Sequence, residues 1–271
     1  MIAGTSYRVA AVQMVSGADV SENITTTEHL VAEAAAQGAR LIVLPENFAV
    51  MSNNEQDKIA LAEEDGVGPL QDFLVTAARQ HGIWLVGGTV PLVSDCPGKI
   101  RNVCLVYSPL GERIARYDKI HLFGFDNGQE RYDESATVEA GDKVVTIAPE
   151  GIRTGLSICY DLRFPELFRA MGEVDLIVLP AAFTYPTGLA HWEVLLRARA
   201  IENQCYLIAA AQGGYHPSGR RTYGDSMIVD PWGEVLARRA EGPGVVIAEI
   251  SSRHLQQIRL CLPALKDRRL L

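Results

Sequence analysis

The feature that most constrains the fold is a short, wholly apolar run, Leu41–Leu44, which is followed directly by Pro45, Glu46 and Asn47. Successive side chains of a strand point to opposite faces, so a strand that is apolar at every position must be covered on both sides. We therefore expect a central strand between two packed layers. Glu46 then lies at the carboxyl end of that strand.

The rest of the chain alternates between apolar strand patterns and helical patterns, without a low-complexity linker. At 271 residues it is long enough to bury a large core, and we expect a single α/β domain over residues 1–271. The two halves share a strand-helix-strand rhythm, which suggests two sheets sandwiched between helix layers. The main predicted segments are a strand over 8–14, helices over 23–37 and 191–202, strands over 144–148 and 205–211, and a helix over 253–262.

Charge and hydropathy exclude several classes of protein. Lys and Arg number 25 and Asp and Glu number 33, for a net charge of −8, which argues against a nucleic-acid binder that neutralises phosphates. The longest apolar runs are too short to span a membrane. The first residues show no basic start followed by a long apolar stretch, so we expect a cytoplasmic protein that acts on a small molecule.

One of the five cysteines has an unusual position. Cys159 follows an apolar strand predicted over 153–158 and precedes a helix predicted to begin near Pro165. Backbone N–H groups after such a turn can stabilise a developing negative charge, which suits a thiolate nucleophile. A lone cysteine is more often a small buried apolar residue, so position alone does not decide the matter. The cysteines form no CxxC pair, and neither a disulfide framework nor a zinc site is predicted.

Other catalytic motifs fail. Gly155–Cys159 departs from the G-x-S-x-G elbow of serine hydrolases because Cys159 replaces the last glycine. No glycine-rich dinucleotide or phosphate loop is present. His191 and Glu193 resemble the start of a zinc deaminase signature, but no P-C-x-x-C follows. We therefore expect neither a metal nor an organic cofactor.

The residues that remain suit amide hydrolysis by a cysteine. That reaction needs a base for the thiol proton, donors for the oxyanion and an acid for the leaving nitrogen. Glu46 could act as base and acid, and Lys119 could stabilise the oxyanion with the Tyr160 N–H. Glu134, in a long polar loop predicted over 124–139, could hold Lys119. Each also has a simpler interpretation, as a turn cap, a surface lysine and a solvated loop charge.

Three blocks of the sequence resemble the nitrilase superfamily of carbon-nitrogen hydrolases. They are Leu44-Pro45-Glu46-Asn47, Tyr117-Asp118-Lys119-Ile120-His121-Leu122-Phe123 and Ser157-Ile158-Cys159-Tyr160-Asp161-Leu162-Arg163-Phe164-Pro165-Glu166-Leu167. The resemblance covers nearly the whole chain and implies that Glu46, Lys119 and Cys159 are catalytic, with Glu134 as a second glutamate. It also implies an α-β-β-α sandwich that commonly dimerises into a four-layer assembly, so a homodimer or higher homo-oligomer is expected.

A narrower resemblance, over 187–206 and 223–233, is to the deaminated glutathione amidase branch. It implies that the protein hydrolyses the primary amide of a small 2-oxo acid, deaminated glutathione, through a thioester intermediate. The reaction would release ammonia and serve metabolite repair. The ω-amidase reaction on 2-oxoglutaramate, and hydrolysis of other amides, carbamoyl compounds or nitriles, stay open, as does a non-catalytic interaction protein on the same fold. Leu189 and Ala140 stand where relatives often carry proline. The candidate substrate-binding residues are Tyr160, Arg163, Thr184, His191 and Tyr223.

Overall fold

The computed structural model describes residues 6–51, 56–126, 128 and 131–270. The strands are β1 (Ser6–Gln13), β2 (Leu41–Val43), β3 (Trp84–Val86), β4 (Val90–Val93), β5 (Ile100–Tyr107), β6 (Arg113–Asp118), β7 (Gly124–Asp126), β8 (Arg131–Asp133), β9 (Thr146–Ile147), β10 (Thr154–Leu156), β11 (Leu176–Ala181), β12 (Tyr206–Ala211), β13 (Gly213–Tyr215), β14 (Arg221–Tyr223), β15 (Ser226–Val229), β16 (Val235–Arg239) and β17 (Gly244–Ser251). The α-helices are α1 (Val20–Ala36), α2 (Gln56–Ala60), α3 (Pro69–His81), α4 (Pro165–Ala170), α5 (Tyr185–Asn203) and α6 (Ser252–Cys261).

Two sheets form the centre of the molecule. In the described residues, the first sheet has the strand order β17-β1-β2-β3-β5-β4, with β6 also paired to β5, and the second has the order β16-β15-β12-β11-β10-β9. The middle of each sheet is parallel: β1, β2 and β3 run together, as do β10, β11 and β12. The expected central strand at 41–43 is confirmed, because β2 lies between β1 and β3.

Strand β1 shows how the layers are built. Val9 and Ala11 point into a core shared with the second sheet, whereas Ala10 and Val12 point into a core shared with helices α1 and α3. Both faces of the strand are therefore covered, as the apolar pattern of such strands requires. Trp192 on α5 and Phe168 on α4 pack on the second sheet. The α-β-β-α sandwich implied by the sequence is confirmed.

Several element boundaries differ from those predicted. Helix α5 begins at Tyr185, where Pro186 occupies the first turn and fits a helix start. Helix α1 begins at Val20 because the Asp19 side chain caps the Glu22 N–H. The strand expected over 144–148 is reduced to β9. The loop expected over 124–139 contains the hairpin β7–β8 and a 3₁₀ turn at 134–136. Asn127, Gln129 and Glu130 of that loop lie outside the described residues.

The sheets bring three carboxyl strand ends to one edge. Glu46 follows β2, Lys119 directly follows β6, and Cys159 follows β10 after Ser157 and Ile158.

No helix in the described ranges is long and apolar enough to cross a membrane.

Candidate active site

The candidate site is a cavity of about 570 Å³ that contains the three predicted catalytic residues. Glu46, Lys119 and Cys159 are almost completely buried, with 3%, 2% and 6% of their surface exposed. Glu134 lines the same cavity. The four side chains, which come from distant parts of the sequence, therefore share one enclosed space.

Lys119 is the centre of the polar network. Its Nζ lies 2.8 Å from Glu46 Oε1 and 2.9 and 2.7 Å from the two carboxylate oxygens of Glu134. Burial alone would lower the pKa of this lysine, but the charges of Glu134 and Glu46 hold it well above its usual value. Lys119 is consequently a fixed cation, as a group that stabilises an oxyanion must be.

Both carboxylate oxygens of Glu134 accept hydrogen bonds. One oxygen accepts a hydrogen bond from the Phe123 N–H at 2.7 Å, and both accept from Lys119. Burial would raise the pKa of Glu134, but the Lys119 charge and hydrogen bond bring it below its usual value. Glu134 is thus an anion that orients Lys119, the arrangement proposed from the sequence.

Cys159 occupies a strained turn at the bottom of the cavity. Its φ of +48° lies in the left-handed region, which costs a non-glycine residue free energy and is concentrated at functional sites. A 3₁₀ turn, Cys159–Arg163, and then α4 follow it. The Ala182 N–H lies 3.5 Å from Sγ. The expected strand-turn-helix corner is present, with Cys159 in the turn.

The surroundings of Cys159 favour the protonated form of its thiol. Burial raises its pKa well above the usual value, and the negative charge of Glu46 and a hydrogen bond to it raise it further, whereas Lys119 acts in the opposite direction. A thiol in these surroundings can act as a nucleophile only if a neighbouring base removes its proton. Glu46 is the carboxylate whose charge acts on this thiol.

Asn102 completes the network and is a residue that the sequence reasoning missed. Its side-chain amide donates to Glu46 Oε1 at 3.0 Å and to Glu134 Oε1 at 3.3 Å, and its backbone carbonyl accepts from the Lys119 N–H. A neutral donor between two carboxylates fixes both without adding charge. The signal available was weak: Asn102 is a polar residue in strand β5, but it follows Arg101 and so does not interrupt a purely apolar run.

Asp161 ties the cysteine turn to the lysine segment. This fully buried carboxylate accepts from the Ile158 N–H at 2.8 Å, the Tyr117 hydroxyl at 2.6 Å and the His121 N–H at 3.1 Å. Of these partners, Ile158 directly precedes Cys159, whereas Tyr117 and His121 lie two residues before and two residues after Lys119. Sequence spacing gave no signal for this contact, because Tyr117 and Asp161 are 44 residues apart.

The predicted substrate-binding residues fall into two groups. Tyr160, Arg163 and Thr184 line the cavity, whereas His191 and Tyr223 do not. His191 lies on the exposed side of α5, with its Nδ1 3.2 Å from an Arg163 nitrogen. Tyr223 packs against Gly188, where any added Cβ would meet its ring.

The guanidinium of Arg163 lies beside aromatic rings rather than beside a carboxylate. In the described ranges no carboxylate lies within ion-pair distance, and its guanidinium lies 5.2 Å from the centre of the Phe183 ring and 5.7 Å from that of Tyr160. Over the same ranges, no group of three His, Cys, Asp or Glu side chains is arranged to hold a metal ion.

Comparison with known proteins gives a consistent result. The model of the carbon-nitrogen hydrolase family matches residues 8–260. A deaminated glutathione amidase from Synechocystis is 44% identical, over 97% of this chain and 98% of its own, and the human omega-amidase NIT2 is 36% identical, over 98% and 96%. The crystal structure of the C. elegans NitFhit protein superimposes with a TM-score of 0.89 at 38% identity, covering 99% of this chain and 66% of that one. The chain belongs to the carbon-nitrogen hydrolase family and is a hydrolase that acts on amide bonds.

Proposed function

We propose that the protein hydrolyses the amide of a small 2-oxo acid through a thioester on Cys159, with deaminated glutathione as the substrate. The observation that carries the proposal is the buried cluster in which Lys119 Nζ lies 2.8 Å from Glu46 Oε1 and the Cys159 thiol lines the same cavity. The names of the relatives at 40–44% identity support the choice of substrate. The ω-amidase reaction is the second candidate, because NIT2 aligns over nearly the whole chain.

The mechanism follows from the positions of the side chains. Glu46 takes the proton of the Cys159 thiol, and the sulfur attacks the amide carbon. Lys119 and the Tyr160 N–H stabilise the oxyanion. Protonated Glu46 gives its proton to the leaving nitrogen, the carbon–nitrogen bond breaks, and a thioester remains. Glu46 then deprotonates a water molecule, which releases the acid and restores the thiol.

The two candidate substrates differ in the leaving group. In 2-oxoglutaramate the scissile bond is a primary amide, so the product is ammonia. In deaminated glutathione the 2-oxo acyl group is joined to a peptide amine, and that amine is the leaving group. The ammonia release expected from the sequence therefore applies to 2-oxoglutaramate, and an assay must follow the 2-oxo acid that both substrates yield.

Arg163 supplies the cation that a 2-oxo acid requires. It lines the cavity and is four residues from the nucleophile in sequence, and an arginine can bind a carboxylate through two parallel hydrogen bonds. Thr184 offers a hydroxyl on the same wall, although it also contacts Thr187 at 2.8 Å. We assign Arg163 to the carboxylate next to the 2-oxo group.

The family resemblance also implies a homodimer. The exposed side of α5 and the adjoining turn carry large apolar residues that support this assignment: Val194 is 69% exposed, Ile201 46% and Trp232 58%. Gly233 lies against the Ile201 side chain, so the turn and the helix form one surface. We propose that this α5 surface joins two copies into the four-layer assembly.

The test of the proposed function is steady-state kinetics of the purified protein on both substrates, with Cys159→Ala as the blank. Higher kcat/KM on deaminated glutathione than on 2-oxoglutaramate, abolished in the variant, is expected. The reverse preference would favour the ω-amidase reaction. Turnover that survives in Cys159→Ala would contradict the mechanism.

A further inference from the structure

The mouth of the cavity is formed by two loops that the mechanism does not use. Arg131 and Tyr132 come from strand β8, and Ser218, Gly219 and Arg220 come from the turn between β13 and β14. Arg131 and Gly219 are exposed and the other three are half-buried or nearly so, in contrast to the buried catalytic residues below. We call these five residues the rim.

The rim is a connected structure. The Arg220 guanidinium lies 4.9 Å from the centre of the Tyr132 ring, within the range of a cation–π contact, so the two loops meet. The 218–220 turn is anchored from below by His216, which is buried and whose ring nitrogens contact the Ser16 carbonyl at 2.8 Å and the Thr222 hydroxyl at 2.7 Å. A site built on such a turn has a defined geometry.

The charge of the cavity favours anions. Glu46 and Glu134 are balanced in part by Lys119, and the third acidic residue of the lining, Asp133, accepts a hydrogen bond from the Ser135 hydroxyl at 2.5 Å. The lining also contains four further cations: Lys58, Arg131, Arg163 and Arg220. This excess is local, because the whole chain carries a net charge of −8.

Two rim side chains have polar groups that point to a ligand. The Ser218 hydroxyl is buried yet has no hydrogen-bond partner in the described part of the chain. Buried polar groups are nearly always paired, because an unpaired one costs free energy. Arg131 also lines the cavity and forms no ion pair with any described residue. A carboxylate bound at the rim could accept a hydrogen bond from the Ser218 hydroxyl and pair with the Arg131 guanidinium.

The cavity also has enough volume for an extended molecule. Its volume of about 570 Å³ is in the range of sites that enclose drug-sized ligands. A small 2-oxo amide fills only part of this volume. An amide whose leaving group is a peptide has the additional atoms that could reach the rim.

We propose that Arg131, Arg220 and the Ser218 hydroxyl form a distal subsite for a carboxylate on the leaving-group side of the substrate. This inference rests on the proposed function and narrows its substrate class to extended acidic amides with a second, remote carboxylate. In deaminated glutathione that group is the carboxylate of the terminal glycine. The subsite would then decide between this substrate and 2-oxoglutaramate.

The test compares deaminated glutathione with its terminal carboxamide, which removes the remote charge alone. We expect the wild-type protein to favour the carboxylate about tenfold in kcat/KM, the size of one charge-assisted hydrogen bond. Arg131→Gln and Arg220→Gln should each reduce this preference to about twofold. Arg79→Gln, which removes an exposed arginine on α3, should keep it. Added salt should weaken the preference, because the rim is partly exposed.

Binding to Cys159→Ala separates this inference from the proposed function. A preference of that variant for the carboxylate over the carboxamide in Kd, lost when Arg131→Gln is added, supports the subsite even when the wild-type protein turns over neither compound. Equal Kd and equal kcat/KM for the two compounds would overturn the subsite while leaving the amidase function intact. An equal effect of Arg79→Gln would also overturn it, since only general electrostatics would then remain.

Discussion

Cys159 combines two properties that a sequence pattern does not reveal. Its backbone lies at φ +48°, and its thiol is surrounded by buried charge. The neighbouring carboxylate of Glu46 favours the protonated thiol. In the proposed mechanism the same carboxylate receives the thiol proton. A change that increases the fraction of thiolate at Cys159 therefore need not increase the rate of catalysis.

The pH dependence of Cys159 alkylation tests this separation. Burial and the Glu46 charge both raise the pKa of the thiol, so Glu46→Gln, which removes one of the two causes, should lower it. We expect the half-maximal rate of iodoacetamide modification of Cys159, measured by mass spectrometry, at a lower pH in the variant. Turnover should nevertheless fall at least a hundredfold, because the base is lost. An unchanged or higher midpoint would refute the assignment of Glu46 as the neighbouring anion.

At the scale of elements, the approach of two loops positions Glu46. Gly88 has φ +56°, and a Cβ there would lie 2.2 Å from the Pro45 carbonyl oxygen. Only glycine fits a position that combines a left-handed backbone with so close a contact. The loop after β3 thus supports the residue that precedes the general base.

Replacement of Gly88 has a matched control on the same fold. Gly82 ends α3 with φ +61°, but a Cβ there meets nothing within 4 Å. Gly82→Ala should cost about 1 kcal/mol of unfolding free energy for the backbone alone. Gly88→Ala should cost more and also lower kcat/KM at least tenfold, because Pro45 and Glu46 must move. If the two substitutions changed the free energy of unfolding in denaturant and kcat/KM equally, the close approach of Gly88 to the Pro45 carbonyl would not matter for either.

The sequence predicted elements better than it predicted contacts between them. The apolar run at 41–44 and the strand before Cys159 were evident, because burial on both faces leaves a direct pattern. The hairpin β7–β8 was missed, since its short polar strands lack apolar alternation. The contact of Lys119 with Glu46 spans 73 residues and that of Asp161 with Tyr117 spans 44, and neither follows from local spacing. The family resemblance, rather than the pattern, identified the site residues together.

At the scale of the whole molecule, the two sheets share one core. Helix α5 covers the second sheet with one side, and its other side exposes Val194 and Ile201 among polar residues such as His191. Scattered apolar residues are common on protein surfaces, but a connected group is typical of an interface. The α5 surface, Val194, Ile201 and Trp232, is therefore the region where association should be tested.

Sedimentation velocity at micromolar concentration measures this association. We expect a dimer of the wild-type protein, and a monomer for Val194→Glu, because a charge at the centre of an apolar interface is costly to bury. Val67→Glu is the control. Val67 is 70% exposed, but it precedes α3, which packs on the first sheet, and so it does not belong to the α5 surface. A wild-type monomer, or a dimer that persists in Val194→Glu, would contradict the α5 surface as the interface.

The central claim is that Cys159 forms a thioester with the acyl group of a 2-oxo acid amide. Rapid acid quenching of the protein during turnover, followed by intact-mass and peptide mass spectrometry, measures it most directly. The account predicts a mass increase equal to the acyl group, located on Cys159, present with deaminated glutathione and absent in Cys159→Ala. Turnover without any acyl adduct, or an adduct on another residue, would contradict it.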